Sequence, residues 1–500
     1  MENHKKHIAI LGAGAAGTAL FVNLVDQAIH HGREGLEISL IEKTGVFGPG
    51  LAYSTEIDTN LLNSPSVDVG IVYGYKMHFW SWIIENVGFW QPHFPNLNNY
   101  GPNTPIPRRL YGLYLKTMLK HACHKAVKAG IITNQITDEV VEIEKEIHQY
   151  KLKLKDGAFC SVDSVCCCIG LGKRINHVNL IEQSTRYFCF PGSDEKKLLA
   201  IPREANVAII GTRLSAIDSI LILANNQHKG KIVSVSRTAS MPNVVSKHTK
   251  YKPQFLTEKN LLALTDNGKK PLSIKQLLAL VKKEYAFHEG KKLNFKSLLE
   301  TNKKPLVKFR YDIMNTANKI RPWQASFYAT NDVVNLIWGL LSSEAKKHSQ
   351  QYIRLFQSQR IAMPSCNAQQ IYQLYRRKKL SFCSGIKNIT KCDDKFLITL
   401  DQQSESLVVD YLIDAAGLTG SVSEHSAPLV KQLLKQNLIK MDNFGFIAIS
   451  SKNMKVLNDY SDGESIYILG GLAQGTCIAA NLMESIVGLS YNIVRDLLNL

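Results

Sequence analysis

The sequence lacks any apolar run that approaches the roughly 20 residues a helix needs to cross a bilayer. It also lacks a signal-peptide pattern, because residues 1–6 are polar and lead directly into a short apolar segment at residues 8–11. A secretory signal needs a longer apolar stretch followed by a small-residue cleavage site. We therefore predict a cytoplasmic protein without a membrane span.

Cysteine is sparse, with ten residues in a chain of 500, and no two cysteines have CxxC spacing. Cys166, Cys167 and Cys168 are adjacent within an apolar segment at residues 165–169. Neighbouring strand residues point to opposite faces, so these three thiols cannot converge on one metal. The histidines show no HExxH or HxxxH spacing either. We predict reduced thiols in a buried strand and no metal site.

Acidic residues are fewer than basic ones, which gives a formal net charge of +18. The basic residues are dispersed, and their short clusters, such as residues 376–379, are not interleaved with aromatic residues as in RNA-binding patterns. A solvated basic surface that suits an anionic cofactor or substrate explains the charge better than nucleic-acid binding.

The first 42 residues are typical of a βαβ unit. Residues 7–11 form a short apolar segment, residues 18–29 have apolar residues at helical spacing, and residues 36–42 read as a second strand. Between the first two lies Gly12-Ala-Gly14-Ala-Ala-Gly17. This order predicts a strand, a glycine turn and a helix whose amino terminus lies directly behind the glycines.

Each residue of this motif has a physical role in binding a dinucleotide. Gly12 permits a tight turn, Gly14 lets a pyrophosphate approach the backbone, and Gly17 lets the helix pack closely on the sheet. The positive end of the helix and its free N–H groups stabilise phosphates. Glu42, at the end of the second strand, is placed to accept hydrogen bonds from ribose hydroxyls. The motif predicts an adenine dinucleotide but does not separate FAD from NAD.

A second unit of the same kind begins near residue 206. A strand at 207–210 is followed by a turn from Gly211, a helix through residues 218–224 and a strand at 231–236. Arg213 occupies the position where the second glycine of the motif would be. It either crowds the path of a pyrophosphate or pairs with it. Ser236 and Arg237 end the second strand, and an arginine there favours NADPH over NADH if either nucleotide binds. A solvated surface arginine is the alternative.

These patterns predict an α/β fold with two Rossmann-like dinucleotide-binding domains. We expect residues 1–200 to form the first part of an FAD-binding domain and residues 201–385 an NAD(P)H-binding-like domain. The second includes a helical insertion at about residues 253–349. Residues 386–500 are expected to return to the FAD-binding domain, which is therefore discontinuous.

Several further segments carry a resemblance to a known family. They are Gly48-Pro-Gly50-Leu-Ala-Tyr53-Ser-Thr55, Leu61-Leu-Asn63-Ser-Pro65, Pro107-Arg-Arg-Leu-Tyr-Gly112, Arg321-Pro-Trp323, Arg360 with Met363-Pro364, and Gly470-Gly-Leu-Ala-Gln-Gly475-Thr476. With the two glycine turns, they resemble a large family of bacterial FAD/NAD(P)-binding proteins distantly similar to flavin-dependent lysine and ornithine N-hydroxylases. The resemblance extends over nearly the whole chain.

The resemblance implies that the first glycine turn and Glu42 hold the adenosine diphosphate part of FAD. It also implies that the Gly48–Tyr53 loop and Asn63 lie toward the flavin ring. For Asn63, an ordinary turn-forming role is the alternative. The resulting candidate cofactor-binding residues are Gly12, Gly14, Ala15, Ala16, Gly17, Glu42, Lys43, Gly50, Leu51, Asn63, Gly211, Arg213, Ser215, Ser236, Arg237, Gly475 and Thr476.

No catalytic side chain can be named, because the sequence has no GxSxG nucleophile motif and no histidine set. This fits an FAD-dependent oxidoreductase, in which the cofactor carries the chemistry. The resemblance favours an NADPH-dependent flavoprotein monooxygenase acting on a small molecule, with amine N-hydroxylation as one form. An FAD-only oxidase or dehydrogenase with a degraded NAD(P)H site is the alternative. An RNA-binding or non-catalytic flavoprotein is an alternative of a different class.

Overall fold

The computed structural model describes residues 5–172, 184–189, 192, 195–246, 251–292, 304–316, 321–349, 362–401, 406–425, 427–458 and 465–500. Arg360 of the sequence pattern lies outside these residues. The chain divides into two compact units. The first comprises Met1–Ile175 and Leu418–Leu500, and the second comprises Asn176–Gly417.

The first unit is built on a five-stranded sheet. The strands of the whole unit, within and outside this sheet, are β1 (Lys6–Leu11), β2 (Leu36–Ile41), β3 (Ile132–Ile136), β4 (Val140–Lys145), β5 (Tyr150–Leu154), β6 (Phe159–Val162), β7 (Ser164–Cys167) and, after the second unit in the chain, β18 (Ser465–Ile468). Its helices are α1 (Ala15–His30), α2 (Gly50–Tyr53), α3 (His78–Glu85), α4 (Val87–Trp90), α5 (Arg108–Lys128), α14 (Pro428–Lys435) and α15 (Met483–Leu497). The sheet order is β18-β7-β1-β2-β3 with every pair parallel.

Burial on both faces explains why the strands of this sheet read as apolar runs rather than as alternating patterns. Ile8, Ala9 and Ile10 of β1 are fully buried, and α1 packs against α5 and α15. Cys166 and Cys167 of β7 and the following Cys168 are buried too, and burial raises the pKa of each thiol. The three adjacent cysteines therefore serve as small core residues.

The second unit is also built on a parallel five-stranded sheet. The strands of the whole unit, within and outside this sheet, are β8 (Tyr187–Phe188), β9 (Val207–Ile210), β10 (Ile232–Ser236), β11 (Asn243–Val244), β12 (Ala362–Met363), β13 (Leu380–Ser384), β14 (Ile386–Cys392), β15 (Lys395–Leu400), β16 (Leu407–Val409) and β17 (Tyr411–Asp414). Its helices are α6 (Glu195–Leu199), α7 (Leu214–Asn225), α8 (Glu258–Leu264), α9 (Ile274–Glu289), α10 (Pro305–Thr316), α11 (Pro322–Ala329), α12 (Val334–Leu340) and α13 (Ser365–Arg376). The sheet order is β13-β10-β9-β17-β8.

The two units repeat one topology. In the first, β1 pairs with β2 and β7, and the antiparallel sheet β4-β5-β6 precedes β7 in the chain. In the second, β9 pairs with β10 and β17, and the antiparallel sheet β14-β15-β16 precedes β17. The predicted α/β class with two Rossmann-like units is confirmed.

The unit boundaries differ from those inferred from the sequence. Residues 386–414 belong to the second unit, because β17 pairs with β9 in parallel. The first segment of unit 1 ends at Ile175 rather than at residue 200, and β8 joins the second sheet beside β17. Strand pairing across hundreds of residues decides both boundaries, and local sequence patterns do not report it.

The predicted helical insertion contains α8 to α12 among its described residues. The carboxylate of Glu284 on α9 accepts hydrogen bonds from the N–H groups of Gln254, Phe255 and Leu256. Such buried polar anchors fix the approach of the segment that precedes α8. Among the described residues, no helix combines the length and the apolar character required to span a bilayer.

Candidate dinucleotide-binding sites

The glycine turn of the first unit lies at the carboxyl end of β1, beside the point where the sheet order reverses between β1 and β7. Gly12 has φ +91°, and a Cβ there would lie 2.6 Å from the carbonyl oxygen of Cys168. A Cβ at Gly17 would lie 2.0 Å from the carbonyl oxygen of Gly12. Both positions therefore require glycine for the turn and for close packing of α1. Open α/β sheets bind their ligands at such a switch point.

A second glycine-rich segment is held against this turn. A Cβ at Gly14 would lie 3.1 Å from Cα of Gly50, so the two backbones approach closely. The N–H of Gly48 donates to the carbonyl of Ala13 at 2.8 Å. The buried hydroxyl of Thr18 lies within hydrogen-bonding distance of the carbonyls of Ala13, at 3.3 Å, and of Gly48, at 3.2 Å. Sequence reasoning missed Thr18, whose position in a helical pattern gave no signal of this contact.

The amino terminus of α1 fits an anionic group. Gly14 is the N-cap residue, and no side chain caps the helix. Ala15 and Ala16 of the first turn are partly exposed. The first N–H groups of a helix have no partner within it, so they attract phosphate oxygens. Gly14, Ala15, Ala16 and Gly17 can thus hold the pyrophosphate of FAD.

Glu42 directly follows β2 and reaches the same turn. Its Oε2 accepts the N–H of Ala13 at 3.1 Å, and its Oε1 accepts the N–H and the hydroxyl of Thr44 at 3.1 and 2.8 Å. The side chain is held in one orientation, and a carboxylate retains lone pairs beyond these three bonds. Lys43, by contrast, is exposed and forms a 3.6 Å ion pair with Glu139.

The predicted residues near the flavin ring have different surroundings. Leu51 is 49% exposed, and Asn63 is also exposed. Asn60, three residues before Asn63, is buried instead. Its side-chain amide donates to the hydroxyl of Thr55 at 3.0 Å, and its backbone carbonyl accepts the N–H of Arg108 at 2.7 Å. The assignment of Gly50, Leu51 and Asn63 to flavin contact stays a prediction.

The C-terminal segment reaches the first turn of α1 after β18. A Cβ at Gly470 would lie 3.4 Å from Cβ of Ala16. Gly475 packs on a different segment, because a Cβ there would lie 2.4 Å from Cβ of Phe446. The hydroxyl of Thr476 donates to the carbonyl of Ile449 at 3.3 Å. The structure thus brings Gly470 to the glycine turn, and the cofactor contact of Gly475 and Thr476 stays a prediction.

The second unit repeats the turn, but two of the three motif glycines are replaced. Gly211 has φ +114°, and a Cβ there would lie 2.7 Å from the carbonyl oxygen of Ala415, as Gly12 approaches Cys168. Arg213 is the N-cap residue of α7 in the place of Gly14, and burial lowers the pKa of its guanidinium. Ala216 stands at the position of Gly17 and is buried. Ser215 lies between these two replacements, in the first turn of α7.

Backbone register places Ser236 at the position of Glu42. The N–H of Gly12 donates to the carbonyl of Ile41, and the N–H of Gly211 donates to that of Val235. The next residues in each strand, Glu42 and Ser236, are therefore equivalent. The second unit has a neutral hydroxyl where the first has a carboxylate, and the exposed Arg237 follows it.

The Glu42→Ala variant tests the ribose assignment. We expect FAD affinity to fall by about 1–3 kcal/mol, the scale for removing one partner of charge-assisted hydrogen bonds. Flavin fluorescence titration measures this change. Glu37→Ala is a matched control, because Glu37 lies at the other end of β2 and accepts a hydrogen bond from Asn134. Unchanged affinity in Glu42→Ala would show that another residue binds the ribose.

Comparisons with known proteins agree with this geometry. Residues 9–172 match the family described as FAD-NAD(P)-binding. No curated protein matches the chain significantly. Among solved structures, the chain is similar to ornithine hydroxylase from Pseudomonas aeruginosa, at 14% identity, TM-score 0.63 and 99% coverage of both chains. It is similar to L-lysine 6-monooxygenase from Pseudomonas syringae, at 15% identity, TM-score 0.61 and 99% coverage of both. Ornithine N-hydroxylase from Kutzneria sp. 744 matches at 13% identity, TM-score 0.56 and 99% coverage of both.

The fold and the first glycine turn agree with the match of residues 9–172 to an FAD-NAD(P)-binding family, as predicted. The fold of the chain is similar to that of an ornithine hydroxylase and of an L-lysine 6-monooxygenase, so the predicted resemblance is confirmed at the level of the fold.

Proposed function

We propose that this chain is an NADPH-dependent FAD monooxygenase that hydroxylates the nitrogen of a small amine. The observation that carries the proposal is the pair of equivalent turns with different chemistry. The first has Gly14 and Glu42, which suit an adenosine diphosphate with free ribose hydroxyls. The second has Ser236 and Arg237, which suit a ribose that carries a 2′-phosphate. Among the solved structures with a similar fold, one is named an ornithine N-hydroxylase, one an ornithine hydroxylase and one an L-lysine 6-monooxygenase, which supports the choice of reaction.

The balanced reaction consumes NADPH, a proton, dioxygen and an amine, and yields NADP⁺, water and a hydroxylamine. FAD supplies the hydride acceptor and the group that activates oxygen. The residues of the chain bind and orient: α1 holds the pyrophosphate through its first N–H groups, and Glu42 fixes the ribose. Among the described residues, no group of three or more His, Cys, Asp or Glu side chains forms a metal site.

Anaerobic reduction of the FAD-loaded protein tests the proposal. NADPH should bleach the flavin absorbance faster than NADH at equal concentration, because only NADPH offers the 2′-phosphate. Oxygen consumption with small diamines and basic amino acids then identifies the substrate class. A flavin that neither nucleotide reduces would contradict the proposal and would favour an FAD-only oxidase or dehydrogenase.

Arg213 is the observation that favours this second candidate, because it replaces the glycine that lets a pyrophosphate approach. In the proposed function its guanidinium pairs with the phosphates, so Arg213→Gly should slow flavin reduction by NADPH in stopped-flow measurements. Arg213→Lys should retain part of the rate because it keeps the charge. Faster reduction in Arg213→Gly would show that the side chain obstructs the site.

A further inference from the structure

Residues 236–240 form a compact turn at the end of β10. The N–H of Ala239 donates to the hydroxyl oxygen of Ser236 at 2.9 Å, and Ala239 has φ +52°, in the left-handed region. The hydroxyl of Thr238 donates to that of Ser240 at 3.1 Å. Arg237 and Thr238 are exposed at the tip. Side-chain hydrogen bonds thus shape this turn and present a guanidinium and a hydroxyl to solvent.

Thr212, in the glycine turn before α7, connects to both ends of this segment. Its side chain is buried, and its hydroxyl donates to the carbonyl of Ser240 at 2.6 Å. The same oxygen lies 3.3 Å from the hydroxyl oxygen of Ser236. One buried hydroxyl therefore joins the loop that would face a pyrophosphate to the turn that carries Arg237.

The contact at the same position of the first unit carries a negative charge, whereas the one in the second unit is neutral. Ala13 stands at the position of Thr212, and its N–H is bound by the carboxylate of Glu42. In the second unit, the hydroxyls of Thr212 and Ser236 form the corresponding contact without a negative charge. A carboxylate there would repel a 2′-phosphate, whereas two hydroxyls leave the position neutral.

We propose that Thr212 is a positioning residue that sets the preference of the second unit for a 2′-phosphorylated adenine nucleotide. It holds the turn of residues 236–240 so that Arg237 and Thr238 meet the 2′-phosphate together. This inference rests on the proposed function, because it assumes that the second unit binds a nicotinamide nucleotide.

Binding of 2′,5′-ADP and 5′-AMP to the FAD-loaded protein, measured by calorimetry, tests the inference, because these ligands differ only in the 2′-phosphate. Thr212→Val should weaken 2′,5′-ADP about 5- to 10-fold, the scale of one or more lost hydrogen bonds, and leave 5′-AMP within about twofold. Thr212→Ser keeps the hydroxyl and should remain close to wild type. Thr316→Val is a matched control, because the buried Thr316 hydroxyl also donates to a backbone carbonyl at 2.6 Å.

Three results of the binding measurements would overturn the inference: unchanged 2′,5′-ADP binding in Thr212→Val, equal loss of both ligands in that variant, or equal binding of both ligands by wild type. Equal loss would mean that Thr212 only stabilises the unit. Flavin reduction by NADH and NADPH alike would overturn the role of Thr212 and leave the FAD monooxygenase standing. Failure of both nucleotides to reduce the flavin would remove the proposed function itself.

Discussion

Gly14→Val is expected to abolish FAD uptake. The β-branched side chain would extend into the path of the pyrophosphate at the start of α1. It would also press on Gly50, whose Cα lies 3.1 Å from the position of a Cβ at Gly14. Both effects remove the close backbone approach on which the site depends. Flavin fluorescence during titration of the purified apoprotein measures the loss.

Gly88→Val provides the control for this variant. Gly88 lies on α4 of the same unit, and no atom lies within 4 Å of a Cβ placed there. It should bind FAD as wild type does. Circular dichroism tests whether the Gly14→Val protein is folded. If it is not folded, Gly14→Ala provides a milder change at the same position. A folded Gly14→Val protein with wild-type FAD affinity would show that this turn does not hold the cofactor.

Arg237→Ala is expected to raise the NADPH concentration needed for half-maximal flavin reduction about 10- to 150-fold, with NADH little affected. The loss of one charge-assisted pair with the 2′-phosphate costs about 1.5–3 kcal/mol, which corresponds to that range. Stopped-flow reduction at varied nucleotide concentration measures both dependences. An equal effect on NADPH and NADH would contradict the assignment, because only one of them carries the phosphate.

Arg203→Ala is a suitable control for Arg237. Arg203 is also an exposed arginine of the second unit, but it precedes β9, whereas Arg237 follows β10. Because β9 and β10 are parallel, Arg203 lies at the amino ends of these strands and Arg237 at their carboxyl ends. Arg203→Ala should therefore leave the nucleotide dependence unchanged while removing the same formal charge. If both variants weaken NADPH equally, a general charge effect rather than 2′-phosphate contact is responsible.

The sequence by itself determined the local units of this protein. A strand, a glycine turn and a helix are contiguous, so the motif from Gly12 to Gly17 predicted the element order that β1 and α1 show. Glu42 was assigned from its place at the end of the second predicted strand, and it directly follows β2 in the structure. Gly211, Ser236 and Arg237 were found in the same way, because a βαβ unit fixes the spacing of its own parts.

Only the tertiary structure decided what meets these units from elsewhere in the chain. It assigned β14 to β17 to the second unit and placed Gly50 against Gly14, Gly470 near Ala16 and Thr212 beneath the turn of residues 236–240. These contacts depend on parallel strand pairing and on close approaches between backbones. They leave no periodic pattern in the sequence, because the two partners of each contact lie in separate segments of the chain. Chain connectivity specifies the elements, and long-range packing specifies the site.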